Sequence, residues 1–185
     1  MTATDPRDEL VEHLPAMRAF AISLTRNGAI ADDMVQDAIV KAWTNIDKFK
    51  VGSNMRAWLF TILRNTYYSS RRKTKREVAD VDGHFTDNLA EKPAQDGFLD
   101  LADFRKALDK LPDEQREALV LVGALGFTYE EAAETCDVAV GTIKSRINRA
   151  RSRMAEMMGY DEDSVLDMSN DATMSVLSAS RVRSF

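Results

Sequence analysis

Apolar residues recur at helical spacing in several separate segments of the chain. The first segment predicts an amphipathic helix with apolar positions at Leu10, Leu14, Met17, Phe20, Ala21 and Leu24. Asn27 and Gly28 then supply a helix stop and a turn. A second helix is predicted to begin near Asp32, because Asp32 and Asp33 suit a helical first turn. Its apolar stripe consists of Met34, Val35, Ala38, Ile39, Ala42 and Trp43.

A loop separates the second helix from a third helix, which Ser53 or Asn54 is placed to cap. The first half of the third helix is apolar. Residues 64–76, in its second half, include two tyrosines and six basic residues without an acid. Aromatic rings interleaved with cations are typical of surfaces that bind opened DNA. We interpret Trp58 as a core residue and Tyr68 as a functional one.

An acidic segment over residues 77–103 follows the third helix. It contains eight acidic residues, one lysine, two glycines and one proline, which predicts a flexible linker. Apolar positions that permit a short helix recur toward its end, at Phe98, Leu99, Leu101 and Phe104. Because DNA repels a segment of this charge, we expect the linker to stay off the duplex or to line a positively charged channel of a partner.

Two short helices joined by a tight turn are predicted in the C-terminal part of the chain. Thr128 and Glu131 have the spacing of a capping box, so the first of these helices is predicted to begin at Tyr129. Asp137 lies in the turn, and the helix after it carries five cations over residues 144–153 with no acid among them. This arrangement is a helix-turn-helix, whose second helix enters the major groove of DNA.

Helical spacing divides the residues of this second helix between the core and the solvent. The residues predicted to pack inward are Val140, Ile143, Ile147, Ala150 and Met154. The residues predicted to read base edges are Lys144, Ser145, Asn148 and Arg149. The residues predicted to contact phosphates are Thr142, Arg146, Arg151 and Arg153. The alternative is a helical hairpin with a solubilising charged face, and the capping box and the absence of acids favour DNA binding.

The net charge of −5 is unusual for a DNA-binding protein, but the charges are segregated along the chain. Basic residues concentrate in the third helix and in the helix-turn-helix, while acidic residues concentrate in the linker and near the C-terminus. Local potential rather than net charge decides where a polyanion binds. Abundant Leu, Ala, Met, Glu and Arg with few Gly and Pro predict an all-α fold.

These patterns divide the chain into two small helical domains joined by a flexible acidic linker. We predict an N-terminal domain over residues 1–76, a linker over 77–103, and a C-terminal domain with the helix-turn-helix over 104–158. Residues 159–185 form an acidic, serine-rich tail that is expected to have little fixed structure.

The sequence offers little support for an enzyme, a metal site or a cofactor. His13 and His84 are isolated, the single cysteine excludes paired-cysteine sites, and no glycine-rich phosphate loop occurs. Asp32, Asp33 and Asp37 are better explained as residues near a helix start than as a metal cluster. We therefore expect no catalysis, no metal, no cofactor and no small-molecule substrate.

We also expect no membrane association and a cytoplasmic location. The sequence has no run of about eighteen apolar residues, which a membrane-spanning helix would need. Its first residues, MTATDPRDELVEHL, do not form a basic start followed by an apolar core, as a secretory signal would.

Several stretches of the sequence resemble the extracytoplasmic-function group of bacterial sigma-70-family factors. One segment resembles the promoter-binding C-terminal domain of that group; it reads LPDEQREALVLVGALGFTYEEAAETCDVAVGTIKSRINRAR. The N-terminal domain of the group resembles ADDMVQDAIVKAW and RAWLFTILRN. Within the C-terminal segment, one run further resembles the general-stress-response sigma factors of alphaproteobacteria; it reads AVGTIKSRINRAR. Asp137 and Ala139 stand where the family often has Gly and Pro, and Asp tolerates the turn conformation.

The resemblance implies a protein that binds core RNA polymerase and promoter DNA. The residues implied to dock on polymerase are Asp33, Gln36, Asp37 and Trp43. Those implied to open the −10 element and capture a flipped base are Asn54, Asn65, Tyr68, Ser69 and Arg72. The −35 element is implied to contact Lys144, Ser145, Asn148 and Arg149. A small, helical anti-sigma partner of the NepR type is also implied. A phosphorylated response regulator with a sigma-like domain would release this anti-sigma factor from the sigma factor.

Two other hypotheses belong to different classes of protein. A sigma-like mimic would act by sequestering an anti-sigma factor, but the sequence has no receiver domain and retains both basic surfaces. A free-standing helix-turn-helix regulator would leave the resemblance of the N-terminal part unexplained. A sigma factor accounts for both parts of the chain and is the favoured hypothesis.

Overall fold

The computed structural model of the protein describes residues 6–79 and 98–159. The α-helices in these ranges are Pro6–Thr25 (α1), Gly28–Thr44 (α2), Met55–Ala79 (α3), Phe98–Lys110 (α4), Asp113–Leu119 (α5), Tyr129–Cys136 (α6) and Val140–Met158 (α7). No strand occurs in the described ranges, and the predicted all-α fold is confirmed. Most of the predicted linker and nearly all of the predicted tail lie outside the described residues.

The N-terminal part of the chain is a bundle of α1, α2 and α3, which pack on one another. The fully buried large side chains that α1 and α3 contribute are Met17, Phe20, Met55, Leu59, Phe60 and Leu63. Ala31, Ala38 and Ala42 of α2 are also fully buried. Since an alanine side chain is small, α2 lies close against both neighbours.

The start of α2 differs from the prediction. The helix begins at Gly28 rather than near Asp32, because the Asn27 side chain caps it by accepting a hydrogen bond from the Ile30 amide at 3.1 Å. The aspartates therefore lie beyond the first turn. Asp32 accepts a hydrogen bond from Nε of Arg18 on α1 at 2.6 Å, so it joins two helices.

The predicted cap of α3 is present. Asn54 Oδ1 accepts a hydrogen bond from the Ala57 amide at 3.0 Å, and the helix begins at the next residue, Met55. Trp58 packs on Phe49 with ring centroids 5.3 Å apart, in the structural role predicted for it. The short helix permitted at the end of the linker is α4, which begins at Phe98 and continues past residue 104.

In the C-terminal part, α5 widens into a π-helical turn over Val120–Ala124 before the chain reverses at Gly126. Gly126 has φ +68°, a conformation that favours glycine. The fully buried side chains that hold α4, α5 and α7 together include Phe104, Leu111, Leu119, Leu121, Ile143 and Met154. The Arg116 side chain is also fully buried in this core, where it donates to the Leu111 carbonyl and to Asp113.

The two domains pack against each other in this structure. Helix α3 contacts α6, and α1 contacts α5. The rings of Phe60 on α3 and Phe127, just before α6, lie with centroids 5.0 Å apart. Arg56 donates to the Leu125 carbonyl and lies 4.2 Å from the Phe127 ring centroid. The buried core is therefore continuous across the two domains.

Candidate nucleic-acid interface

The exposed face of α7 carries most of the residues predicted to read bases. The opposite face is fully buried and consists of Ile143, Ile147, Ala150 and Met154. This burial fixes the rotation of α7, so Lys144, Asn148 and Arg149 are exposed. Ser145 is half-buried, and its hydroxyl donates to the Thr142 carbonyl at 2.9 Å. Three of the four predicted base-reading residues thus share one accessible face.

Local capping fixes the helix that precedes α7. Thr128 Oγ1 accepts from the Glu131 amide at 3.1 Å, and Glu131 Oε2 accepts from the Thr128 amide at 2.8 Å, which confirms the capping box. The backbone hydrogen bond from Thr128 lowers the pKa of Glu131. The turn to α7 passes through Asp137, which has φ 54°. This turn brings Lys144 within 5.6 Å of the Tyr129 ring centroid.

The predicted phosphate-contacting residues on α7 differ in accessibility. Arg153 is exposed, while Thr142 and Arg151 are half-buried. Arg146 is engaged inside the domain, because its Nη2 donates to Glu114 Oε2 at 2.9 Å and its side chain is only 13% exposed. Arg146 therefore ties α7 to α5 in this structure.

The residues predicted to contact the −10 element fall into two groups. Asn65, Ser69 and Arg72 are exposed on α3, and Arg72 Nη2 donates to Ser69 Oγ at 3.2 Å. A cationic groove at this end of α3 is lined by Ser69, Arg72, Lys73 and Arg76. Asn54 is also exposed, but its side-chain amide donates to Glu131 of the C-terminal domain. Tyr68 is half-buried and donates to a second carboxylate of that domain, so the structure leaves only three of the five residues outside these interdomain contacts.

The carboxylate that binds Tyr68 is Glu117, a residue that the sequence did not single out. Its Oε1 accepts from Arg64 Nε at 2.6 Å and its Oε2 accepts from the Tyr68 hydroxyl at 3.3 Å. The Glu117 side chain is fully buried, and burial raises its pKa although the charge of Arg64 opposes the shift. Burial and the nearby charge of Glu117 also raise the pKa of Tyr68. The sequence signal for such a site is a charged residue directly before an apolar run, here in REALVLV.

Cys136 lies beside this buried carboxylate. It is 2% exposed, and burial together with the charge of Glu117 raises its pKa to about 12. The thiol is therefore protonated at neutral pH.

The residues predicted to dock on polymerase lie on one side of α2. Asp33, Gln36, Asp37 and Trp43 are exposed and recur at helical spacing, with Val40 between them at 64% exposure. We call this set the α2 stripe. It combines two carboxylates with two large apolar side chains, so it can take part in both ionic and apolar contacts with a protein partner.

The described residues contain no group of His, Cys, Asp and Glu side chains that could hold a metal ion. None of the helices in residues 6–79 and 98–159 is long and apolar enough to cross a membrane.

Fold and site together define a helical DNA-binding protein with one cationic surface in each of its two domains. The family model for sigma-70 region 2 matches residues 10–77, and the model for sigma-70 region 4 matches residues 101–154. The chain belongs to the sigma-70 family of transcription initiation factors. As a sigma factor it binds core RNA polymerase and promoter DNA and directs promoter-specific initiation.

Similar proteins support this assignment along most of the chain. The RNA polymerase sigma factor EcfG of Rhodopseudomonas palustris, of the extracytoplasmic-function group, is 54% identical over 162 residues, which are 87% of this chain and 90% of that protein. The factor SigC of Mycobacterium tuberculosis is 34% identical over 126 residues, covering 67% of this chain and 68% of SigC. A solved structure of the sigma factor RpoE with the anti-sigma factor NepR, from Bartonella quintana, matches with a TM-score of 0.76. That match has 55% identity and covers 86% of this chain and 99% of RpoE.

The predicted membership of the extracytoplasmic-function group, and the resemblance to its general-stress-response factors, are confirmed by these matches. A free-standing helix-turn-helix regulator does not account for the region 2 match over the N-terminal domain.

Proposed function

We propose that this sigma factor initiates transcription of general-stress-response genes and divides promoter recognition between α3 and α7. The observation that carries the proposal is the exposed cationic face of α7, which has no acid over residues 140–155, on a capped helix-turn-helix. Such a face can read base edges in the major groove while flanking cations bind phosphates. The factor has no catalytic activity of its own, since polymerase supplies the chemistry, and it acts in the cytoplasm, where polymerase and promoters are.

On α7, Lys144, Asn148 and Arg149 contact bases of the −35 element, and Ser145 completes the set. Their exposure on one face supports this role. Phosphate contacts come from Thr142, Arg146, Arg151 and Arg153. Before Arg146 can contact a phosphate it must exchange its partner Glu114, whose side chain is 63% exposed.

On α3, Asn65, Ser69 and Arg72 contact the −10 element together with Asn54 and Tyr68. The cationic groove supports this role, because it can hold the backbone of an unpaired strand while bases stack on aromatic rings.

The α2 stripe docks on core polymerase. This assignment is supported by the exposed pair Asp33 and Asp37 beside Trp43, which is 53% exposed. An anti-sigma factor of the NepR type, small and helical, binds the factor and prevents docking. The complex that Bartonella quintana RpoE makes with NepR supports this regulation.

Run-off transcription tests the proposal. We expect transcripts from a stress-type promoter when core polymerase is combined with this protein, and none with core alone. Adding a NepR-type anti-sigma factor should abolish them. Transcripts that do not depend on this chain would contradict the proposed function.

Charge reversal on α2 tests the docking stripe. Asp37→Arg should weaken binding to core polymerase by more than about tenfold, because it reverses a charge in the middle of the proposed docking surface. Fluorescence anisotropy with labelled protein measures the affinity. Asp103→Arg is the matched control, since Asp103 is also exposed but lies on α4. Unchanged affinity of the Asp37 variant would remove that residue from the docking surface.

A further inference from the structure

Three carboxylates of the C-terminal domain bind side chains of α3 and its cap. Glu117 is the most buried of them, with none of its side chain exposed, and its partner Arg64 is 17% exposed. Both carboxylate oxygens are used, one by the Arg64 guanidinium and one by the Tyr68 hydroxyl. The Arg64 guanidinium also lies 4.7 Å from the Tyr68 ring centroid. The ring and the cation are therefore held together by an acid from the other domain.

Asp113 makes a second connection of the same kind. It is the first residue of α5 and accepts a hydrogen bond from the Tyr67 hydroxyl at 3.3 Å. It also forms an ion pair with Arg71, the next cation along α3. Within its own domain Asp113 binds Arg116 at 2.7 Å, which fixes the carboxylate in place.

Glu131 makes the third connection, at the N-terminal end of α3. Its Oε1 accepts from the Asn54 side-chain amide at 2.6 Å, while Asn54 Oδ1 caps α3. The second oxygen of Glu131 is held by the capping box of α6. Both ends of this contact are therefore oriented by helix caps.

A carboxylate and a DNA phosphate are both anions that only accept hydrogen bonds, and arginine binds either one. We propose that Asp113, Glu117 and Glu131 hold the free protein in a closed form, in which its own carboxylates compete with promoter DNA for α3. This inference rests on the proposed role of α3 at the −10 element. In the closed form Asn54 and Tyr68 are hydrogen-bonded to these carboxylates, although Asn54 is itself exposed. Asn65, Ser69 and Arg72 are exposed and take no part in the three connections.

The exchange of partners allows the closed form to open at moderate cost. When DNA replaces the carboxylates, the arginines and Asn54 exchange one set of oxygen acceptors for another, and Glu117 returns to water. Its raised pKa shows that burial opposes its ionised form in the closed state. The apolar contact between Phe60 and Phe127 favours closure and is lost on opening.

Two substitutions on the same helix test the competition. Glu117→Gln removes the interdomain charge and leaves every side chain of α3 intact. Glu114→Gln is the matched control, because Glu114 is also on α5 but binds Arg146 of its own domain. Asn54→Asp is a third variant, which keeps a good helix cap and places a second carboxylate against Glu131. Far-UV circular dichroism and thermal unfolding establish that each full-length variant is folded.

Small-angle X-ray scattering measures closure, and anisotropy of a labelled single-stranded −10 oligonucleotide measures access to α3. For Glu117→Gln we expect a larger radius of gyration than for the wild-type protein, and affinity for the oligonucleotide higher by at least about fivefold. For Asn54→Asp we expect expansion, measured by scattering alone because Asn54 is itself placed at the DNA. For Glu114→Gln we expect neither change.

Three outcomes would overturn the inference. In the first, the Glu117→Gln and Asn54→Asp proteins are both folded, and neither has a larger radius of gyration than the wild-type protein. The second is expansion without a gain in oligonucleotide affinity. The third is an equal gain for Glu114→Gln, which would reflect net charge or the release of Arg146 and not access to α3.

The proposed function is tested separately. Failure of the wild-type protein to support run-off transcription would contradict the function, and scattering would still decide whether the carboxylates close the molecule.

Discussion

The arginines of α7 have one chemistry but three different environments. Arg149 is exposed on the face that carries Lys144 and Asn148, whereas Arg151 is half-buried at the side of the helix. Arg146 is bound to Glu114 and mostly buried. Since a guanidinium cannot lose its charge at physiological pH, its accessible geometry decides its role. The fully buried face of α7 sets these environments through the rotation of the helix.

Alanine substitutions at two of these arginines should have different effects. Arg149→Ala should reduce discrimination between −35 sequences by about 1–3 kcal/mol, because a base contact is lost. Arg151→Ala should weaken binding to all sequences alike and reduce the salt slope by about 1, because a phosphate contact is lost. Fluorescence anisotropy of holoenzyme on promoter variants at several salt concentrations measures both. Identical behaviour of the two variants across promoters would contradict this division.

At the scale of elements, the position of α7 depends on the turn that joins it to α6. The turn contains Asp137 in a left-handed conformation, with φ 54°, immediately after the end of α6. Glycine adopts this conformation most readily, and aspartate tolerates it better than most residues. The capping box of Thr128 and Glu131 fixes the other end of α6. The helix-turn-helix is therefore specified locally at both ends of its first helix.

Substitutions of Asp137 test this local specification. Asp137→Ala should lower the free energy of unfolding by about 1 kcal/mol, because alanine is strained in a left-handed conformation. Asp137→Gly should be neutral or slightly stabilising, since the side chain is exposed and glycine carries no such strain. Urea unfolding followed by circular dichroism measures both variants. Equal losses for the two substitutions would show that the side chain, and not the backbone, matters here.

Short-range signals made most helices predictable from the sequence. The capping box placed the start of α6, and Asn54 placed the start of α3. The predicted start of α2 was wrong, because Asp32 and Asp33 suit the first turn of a helix but the residue that caps this helix is Asn27. Asparagine is a common N-cap residue, so the correct signal was present in the sequence beside a competing one.

At the scale of the whole molecule, contacts between the domains could not be predicted. Glu117 and Arg64 are 53 positions apart, and Glu131 and Asn54 are 77 positions apart. Helix periodicity, capping boxes and turn motifs relate residues only a few positions apart, so they predict neither pair. The sequence therefore predicted a cationic α3 for DNA but not the carboxylates that occupy part of it. A single sequence carries no local signal for how two domains pack on each other.

The buried carboxylates give the folded protein a characteristic pH dependence. Burial raises the pKa of Glu117 and of Asp109 above the unfolded values, so the folded state takes up protons first as the pH falls. The free energy of unfolding should therefore rise between pH 7 and the ordinary glutamate value of 4.5. Below pH 4.5 Glu131 lowers the free energy of unfolding as the pH falls further. The pKa of Glu131 is lowered in the folded state, so its stabilising contribution is lost when it becomes protonated.

Comparison with Glu117→Gln isolates the contribution of Glu117 to this pH dependence. Asp109 and Glu131 titrate in both proteins, so the variant should show a smaller rise in stability on acidification than the wild-type protein. Urea unfolding at intervals from neutral pH to about 4.5 measures the difference. If the free energy of unfolding changed with pH in the same way for both proteins, Glu117 would have the same proton affinity in the folded and unfolded states.

The environment of Cys136 limits how this factor can respond to oxidants. Peroxides and disulfides react with thiolates, and the one thiol of this chain is buried and protonated, with its pKa raised to about 12. The thiol of Cys136 is therefore unreactive toward such reagents while the protein is folded. Cys136 therefore does not act as a thiol switch in the folded factor, and binding partners can carry an oxidative signal to it instead. The same promoters can then serve stresses that share no common reactive chemical.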